Sequence, residues 1–224
     1  MKDNSKLLKK YTDPFSKKAK EMAAKFDFAT SNKDAKKLEE LLSEAESVVD
    51  KENDASKAMI YYSLGTAHDD LAKLNGNRNE ESLQKILYFF RKSIKLIESD
   101  KYKDEKYSPF VLSQKEILYT NYANALDHCG RKIAAIEQYK KVLSFHSDFG
   151  MALGNLGRVY HHYGILEYDD SHKDLFHYFA YHYLGKAIDC TDPNTLDAAK
   201  KCFKATMEAY APEYIKNVLT SELS

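Results

Sequence analysis

The chain has 224 residues, of which 43% are hydrophobic and 30% are charged, and its 34 basic side chains balance its 34 acidic ones. This length can bury a sizeable core without disulfides or metals, and the zero net charge provides no overall field to attract nucleic acid or an anionic membrane. Only 8 glycines and 4 prolines occur, too few to punctuate many short strands. The composition therefore predicts long helices.

The cysteines and the apolar runs limit the compartment. Cys129, Cys190 and Cys202 form no CxxC pair and are odd in number, which argues against a disulfide framework or a zinc cluster. No apolar run approaches the roughly 18 residues that would span a bilayer, and the N-terminal segment MKDNSKLLKKYTDPF lacks the apolar centre of a secretion signal. We therefore expect a cytoplasmic protein without a membrane segment.

Residues 1–57 predict two amphipathic helices. Asp13 and Pro14 supply a cap acceptor and a residue suited to the first helical turn. The apolar residues that follow recur at helical spacing until about Thr30, and they are Phe15, Ala19, Met22, Ala23 and Phe26. Beyond turn residues 31–34, a second apolar stripe consists of Ala35, Leu38, Leu41, Leu42, Ala45 and Val48 or Val49. We interpret this segment as an N-terminal helical cap or a degenerate hairpin.

Residues 58–192 repeat one helix-pair pattern three times, and the clearest copy is 116–149. Its first helix has Tyr119, Tyr122, Ala123 and Leu126, and its second, after Gly130, has Ala135, Tyr139 and Val142. The next copy has Leu153, Leu156, Gly157, Tyr160 and Gly164, then Ala180, Leu184 and Ala187. The preceding copy has Tyr61, Leu64 and Gly65, then Ile86, Phe90, Ser93 and Ile94. Three copies are enough for a stack of hairpins.

Small residues stand at the same offset in the three copies. Gly65, Ala123 and Gly157 lack bulk where two helices of one hairpin approach closely, while larger residues one turn away fill the space around the contact. An ordinary helical bundle also spaces apolar residues by three and four positions. It does not require small residues at one offset in successive pairs, so the pattern favours a helical repeat.

Two segments inside the repeats lengthen the ideal period. We expect loops around residues 73–82, which are rich in Asn and Gly, and around residues 165–174, which are acidic and contain Tyr168. They are either tolerated growth of a turn or a lip beside the stack. After Asp192 and Pro193, residues 193–224 predict one or more C-terminal capping helices, with apolar positions at Ala198, Cys202, Phe203, Thr206 and Met207.

The 34-residue period and the small-residue pattern resemble the tetratricopeptide repeat. The resemblance implies an all-α fold of tetratricopeptide-like antiparallel helix hairpins, stacked in a right-handed superhelix. It also implies a protein–protein interaction scaffold that binds a peptide or protein segment in a concave groove lined by the first helix of each pair.

Polar residues lie on the expected groove side of those first helices. Proteins of this family commonly use Asn at the sixth and ninth positions to hold a peptide backbone, and Asn121, Asn124 and Asn155 match. Arg158 adds a fork of donors for a carboxylate or phosphate. The predicted groove consists of Tyr62, Thr66, Asn121, Asn124, Asp127, His128, Asn155, Arg158 and His162, with Ser63, Asp69, Asp70, Thr120 and His161 beside them. A solvated helix face is the alternative.

A narrower resemblance covers residues 120–155. This run is similar to the tetratricopeptide segment that precedes the ribonuclease-like HEPN domain in some bacterial proteins, and its most specific part is DFGMALGN. The similarity implies the recognition module of a bacterial stress or phage-defence system. The alternative is a HEPN-associated RNA-processing or RNA-binding protein whose catalytic part is absent from this chain. The repeat pattern already accounts for the helix with Arg158, His161 and His162, so we assign no RNA-cleaving pair.

Catalysis and metal binding are the remaining hypotheses. Five histidines lie close together beside three aspartates, namely His161, His162, His172, His177 and His182 with Asp169, Asp170 and Asp174. No HExxH motif, GxSxG elbow, phosphate loop or dinucleotide fingerprint occurs, and no two histidines are four residues apart. We therefore expect no enzyme activity, no metal and no cofactor. The expected partner is a protein or peptide, with an effector domain or a co-transcribed protein as candidates, and not a membrane or a nucleic acid.

Overall fold

The computed structural model describes residues 12–103, 108–190 and 200. Its regular structure within these residues is entirely helical. In chain order the α-helices are α1 Lys17–Ser31, α2 Ala35–Val48, α3 Asp54–Leu74, α4 Glu80–Ile97, α5 Ser108–His128, α6 Lys132–Phe145, α7 Gly150–Leu166 and α8 Asp170–Asp189, with short 3-10 helices at Val49–Lys51 and Asp100–Lys103. The predicted all-α class is confirmed. The C-terminal capping helix predicted for residues 193–224 lies outside the described residues except for Lys200.

Side-chain caps fix where several helices begin. The side-chain oxygens of Ser16, Asp34, Asn53, Asn79 and Asp169 each accept an N–H group of the first turn, at 2.9–3.0 Å. These bonds satisfy donors that have no partner inside the helix. The short polar stretches between the apolar stripes therefore determine the boundaries of the hairpins.

The predicted start of α1 was wrong. The Asp13 carboxylate accepts the N–H of Phe15 at 2.9 Å, which closes a turn before the helix, and Ser16 is the cap. The Ser16 N–H also donates to the hydroxyl of Ser56 in α3 at 2.8 Å. This long-range contact gives Ser16 a partner that Asp13 does not have.

The chain divides into two compact units, unit 1 (Met1–Arg131) and unit 2 (Lys132–Ser224). In unit 1, α1 and α2 form a hairpin that packs against α3, α3 pairs with α4, and α5 packs on α3 and α4. The core of the first three helices consists of buried residues such as Met22, Phe26, Leu38, Leu41, Ile60 and Leu64. Helices α1 and α2 therefore form a hairpin that packs onto the next one.

The α3–α4 hairpin closes around Gly65. A Cβ atom placed on Gly65 would lie 2.8 Å from Cε1 of Phe90, so the ring occupies the space that a side chain would need. The buried Ser93 hydroxyl donates to the carbonyl of Ala58 at 2.6 Å and joins the two helices. Near the open end, the Tyr102 hydroxyl accepts the N–H of Ala55 at 2.8 Å.

In unit 2, α6 packs on α7, and α7 pairs extensively with α8. A Cβ atom on Gly157 would lie 2.6 Å from Cγ of Leu184 and 3.1 Å from the carbonyl oxygen of Ala180. A Cβ atom on Gly164 would collide with the imidazole of His177. The predicted close approach at Gly65 and Gly157 is therefore present in both hairpins.

The lengthened segments are mostly helical. Residues 75–79 alone separate α3 from α4, and residues 167–169 alone separate α7 from α8. The predicted loops at 73–82 and 165–174 were therefore wrong in extent, because the added residues extend the helices and the caps Asn79 and Asp169 restart them early. Gly76 has a φ of 62°, a left-handed conformation that glycine adopts without a steric cost. In the part of the chain that the structure describes, no helix is long and apolar enough to cross a membrane.

Candidate binding surface

The candidate surface of unit 1 lies on its first helices, α1, α3 and α5. We call it the unit 1 face, and its residues are Asp27, Thr30, Tyr62, Thr66, Asp70, Asn121 and Asn124. The Asn121 amide donates to the Tyr62 hydroxyl at 2.9 Å, and Nδ2 of Asn124 lies 3.4 Å from Oδ1 of Asn121. Two of the three asparagines predicted to hold a peptide backbone are thus adjacent and connected to α3.

Tyr62 is the central residue of this face. Burial raises the pKa of its phenol above the usual value, and the carboxylates of Asp27 and Asp70 raise it further. The phenol therefore stays neutral at physiological pH and acts as a fixed polar group. Thr66, one turn later, is half-buried, and its hydroxyl donates to the Tyr62 carbonyl at 3.1 Å.

Helix α1 contributes to the same face. The Thr30 hydroxyl donates to the Asp70 carboxylate at 3.1 Å, and Asp27 is exposed one turn before it. Partial burial raises the pKa of the Asp27 carboxyl, and no other described residue forms an ion pair with it. The sequence interpretation omitted Asp27 and Thr30 because it left residues 1–57 as a cap. The helical spacing of Met22 and Phe26 is the sequence feature that could have indicated a contribution of α1 to this face.

Other residues predicted beside the groove have local partners. Lys73 lies 2.7 Å from the Asp69 carboxylate, and Arg78 binds the same carboxylate. The hydroxyls of Ser63 and Thr120 bond the carbonyls four residues before them, at 3.2 and 2.7 Å. Such bonds allow a hydroxyl to be buried in a helix. Ser63, Thr120 and Asp127 are buried, and His128 is exposed.

In unit 2 the corresponding residues lie on α7. Asn155, Arg158 and His162 are half-buried. Among the described residues, Asn155 has no hydrogen-bond partner, so both its donors and its acceptor are open to a ligand. We call these three residues the unit 2 face.

Two of the five clustered histidines, His161 and His177, are part of the α7–α8 core. The rings of His161 and His177 meet edge to face, 5.6 Å between centroids, and both residues are buried. Burial, with the nearby His161 and Lys173, lowers the pKa of His177 to about 3. Burial and His162 lower the pKa of His161. Neutral imidazoles here are packing groups, and the described residues contain no group of three side chains arranged to hold a metal ion.

Comparisons with known proteins bear on the fold. No protein-family model matches the sequence, and no curated protein is significantly similar to it. A crystal structure of nearly identical TPR-like repeats from a putative kinesin light chain of Podospora anserina aligns with a TM-score of 0.53. The alignment covers 93% of this chain and 89% of that chain, at 12% identity. The fold is tetratricopeptide-like. At this identity the likeness concerns the fold alone, so the tetratricopeptide-like repeat predicted from the sequence is confirmed, and the predicted HEPN association stays a prediction.

Proposed function

We propose that this protein is an interaction scaffold that binds a peptide or protein segment on the polar faces of its first helices and performs no chemistry. The tetratricopeptide-like fold supports the general role. The observation that carries the specific site is the hydrogen-bonded chain from Tyr62 through Asn121 to Asn124. It supplies oriented amides on a face of helices that are already packed.

The amides of this chain suit a peptide backbone. Asn121 uses one N–H group on Tyr62 and one lone pair toward Asn124, which leaves a second N–H group and a second lone pair for a ligand. A backbone amide presents the complementary acceptor and donor. Because Tyr62 holds Asn121 in place, less rotamer freedom is lost on binding than for a mobile side chain.

Charge refines the proposal. Asp27 lacks an ion pair within the described part of the chain, so the unit 1 face favours a segment with a lysine or arginine near α1. On the unit 2 face, Arg158 favours an anionic group and Asn155 favours an amide. The residues that we propose for binding are Asp27, Tyr62, Thr66, Asn121, Asn124 and His128 in unit 1, and Asn155, Arg158 and His162 in unit 2. Asp127, which the sequence also predicted, is buried.

The test uses a partner recovered with the full chain as bait and then titrated calorimetrically. We expect Asn124→Ala to weaken binding by about 1 kcal/mol and Arg158→Ala by about 1.5–3 kcal/mol, because hydrogen bonds to charged groups contribute more than neutral ones. Thermal melts should be nearly unchanged. Asn77→Ala, on the turn between α3 and α4, is the matched control and should bind like the parent. Parent-like binding by both groove variants would refute the proposed surface.

The resemblance of residues 120–155 to HEPN-associated segments motivates a second candidate. In it, the scaffold recognises its target within a bacterial defence system, or binds RNA beside a catalytic part located elsewhere. A mobility shift with single-stranded RNA at several salt concentrations separates the two roles, because binding through phosphate contacts weakens steeply with salt. The absence of a shift at low salt would eliminate the RNA role.

A further inference from the structure

Tyr168, in the turn between α7 and α8, is almost completely exposed. The residue is 99% exposed, and its hydroxyl forms no hydrogen bond with another described residue. Among the described tyrosines only Tyr88, on α4, is also exposed, and its exposed fraction is 50%. Tyr168 therefore offers a phenolic hydroxyl that an enzyme reaches without any movement of the helical core.

The backbone around Tyr168 is extended and held in place. Glu167 has φ and ψ of −81° and 136°, and Asp169 has φ and ψ of −82° and 120°. The Glu167 carboxylate accepts the N–H groups of Tyr168 and Asp169, at 2.9 and 3.3 Å. Recognition clefts commonly bind peptide segments in an extended conformation. The connection between the two helices therefore presents Tyr168 in a form that suits such a cleft.

The two exposed tyrosines have opposite electrostatic surroundings. Within four residues of Tyr168 the chain has three carboxylates and neither lysine nor arginine, whereas within four residues of Tyr88 it has three cations and no carboxylate. These residues are Glu167, Asp169 and Asp170 around Tyr168, and Lys85, Arg91 and Lys92 around Tyr88. Nζ of Lys92 lies 4.8 Å from the centroid of the Tyr88 ring. A cleft that binds a nucleoside triphosphate is itself cationic, so it attracts the segment around Tyr168 and repels that around Tyr88.

Exposed apolar side chains lie close to Tyr168 in the chain. Ile165, Leu166 and Leu175 are exposed by 57, 64 and 48%. Single exposed apolar residues are ordinary, whereas several within eleven residues indicate an interaction site. An enzyme that modifies a side chain needs contacts away from the reacting atom, because these contacts hold that atom in position. The apolar residues supply such contacts beside the tyrosine.

We propose that Tyr168 is a phosphorylation site for a kinase that recognises this acidic turn. The kinase transfers the γ-phosphoryl group of a nucleoside triphosphate to Oη of Tyr168. The bond from Oη to phosphorus forms, the bond from phosphorus to the β–γ bridging oxygen breaks, the phenolic proton passes to a base of the kinase, and the nucleoside diphosphate leaves. The phosphate adds about two negative charges to unit 2. This modification is separate from the peptide binding proposed above.

Phosphorylation of the full chain by a broad-specificity tyrosine kinase with Mg²⁺ and ATP tests the proposal, with the sites mapped by mass spectrometry. We expect phosphate to enter Tyr168 at least about tenfold faster than Tyr88, because electrostatic attraction raises association rates by this factor or more. Tyr168→Phe should remove most of the incorporated phosphate. Tyr88→Phe is the matched control and should incorporate as much as the parent.

Mapping of protein purified from its natural source should also find phosphate on Tyr168. Comparable rates at Tyr168 and Tyr88, or no phosphate on Tyr168, would overturn the proposal. Thermal melts of the parent and of Tyr168→Phe should coincide, because the side chain is in solvent.

A change of charge separates recognition of the turn from mere exposure of the hydroxyl. Asp170 is exposed and forms no ion pair with another described residue. Asp170→Asn should raise the KM for phosphorylation about threefold and leave kcat unchanged, because a charge at the rim of an interface acts mainly on association. Glu137→Gln, which changes an exposed carboxylate on α6, should phosphorylate like the parent. An unchanged KM for Asp170→Asn would show that the acidic turn is not recognised.

Discussion

The hairpins α3–α4 and α7–α8 use the same repeat positions with different residues. Gly65 faces Phe90 in the first hairpin, and Gly157 faces Leu184 in the second. The three atoms nearest to a Cβ built on Gly65 all belong to the Phe90 ring, whereas the backbone nitrogen of Leu184 and the carbonyl oxygen of Ala180 lie 3.0 and 3.1 Å from a Cβ atom built on Gly157. A ring therefore fills the space beside the glycine in the first hairpin, whereas backbone atoms share that space with a side chain in the second.

The residue one turn earlier explains the difference. Where α4 has Ile86, α8 has Ala180, and both are buried. A small side chain there lets the backbone of α8 come close to α7, because helix separation depends on the side chains at the contact. The same small residue in the first helix is thus compatible with two modes of packing.

The polar content of the two hairpins also differs. In α3–α4 the buried hydroxyl of Ser93 bonds the backbone of α3, and His68 stacks on Phe89 with ring centroids 5.3 Å apart. Burial lowers the pKa of His68 to about 4. In α7–α8 two imidazoles are buried in contact, His161 and His177. The second hairpin therefore contains two buried neutral imidazoles that acid can protonate, whereas the first contains one histidine.

The largest expected difference between the two hairpins is the effect of acid on their stability. The ordinary pKa of histidine is about 6.5, and that of folded His177 is about 3. Below pH 6.5 the unfolded chain binds more protons than the folded chain, so the free energy of unfolding falls as the pH falls from about 6.5 to about 3. We expect His177→Leu to flatten the dependence of the melting temperature on pH over this window.

Two variants make that measurement specific. His68→Leu should flatten the dependence over a narrower window, from about 6.5 to about 4. His172→Leu, on the exposed start of α8, should leave it unchanged. If His177→Leu and His172→Leu gave the same slope, protonation of the α7–α8 core would not be the cause of acid sensitivity.

Gly157→Ala should have the next largest effect. The new methyl group would meet backbone atoms that cannot rotate away, and overpacking of this kind costs about 3 kcal/mol. The higher helix propensity of alanine returns about 1 kcal/mol, so the net loss of unfolding free energy should be about 2 kcal/mol. Denaturation in urea, monitored by circular dichroism, measures it.

Substitutions at two further glycines serve as comparisons for Gly157→Ala. At Gly65 the obstacle is the ring of Phe90, which can turn aside, so Gly65→Ala should change the unfolding free energy by under about 1 kcal/mol. At Gly185, also in α8, no atom lies within 4 Å of an added Cβ, and alanine should stabilise by about 1 kcal/mol. Equal behaviour of Gly157→Ala and Gly185→Ala would contradict the close backbone approach.

Ser93→Ala should have a smaller effect than His177→Leu and Gly157→Ala. It removes the bond to the Ala58 carbonyl, and the loss of one buried hydrogen bond costs about 1 kcal/mol. The matched control is Ser144→Ala, whose exposed hydroxyl bonds the carbonyl of Lys141 at 2.7 Å. That control should stay within about 0.5 kcal/mol of the parent, and a similar value for Ser93→Ala would show that the bond between the helices adds no stability.

The hairpins could be predicted because close helix contact requires particular residues at particular offsets. Gly65 and Gly157 are recognisable for this reason. The start of α1 could not be predicted, because Asp13 and Ser16 are both good caps and the contact that Ser16 makes with Ser56, forty residues away, leaves no local pattern. The predicted ends of the turns were wrong for a similar reason, since an acidic polar stretch can extend a helix as readily as interrupt it.

The candidate site was predictable only by position. The offsets in the repeat selected Asn121 and Asn124, yet the bond from Asn121 to Tyr62 joins residues 59 positions apart and leaves no local pattern. The exposure of Phe28 was hidden as well. Phe28 lies next to Phe26 and Ala29, which are buried. Helical periodicity does not predict which apolar residue at the edge of a stripe is exposed to solvent.

The bond between Tyr102 and the N–H of Ala55 has a practical consequence for engineering. It fastens the segment after α4 to the start of α3, at the opposite end of the hairpin from residues 75–79. A fluorescent reporter inserted at Gly76, where an added Cβ would meet no atom within 4 Å, would leave that fastening intact. The α3–α4 turn is therefore a suitable place to insert a reporter domain.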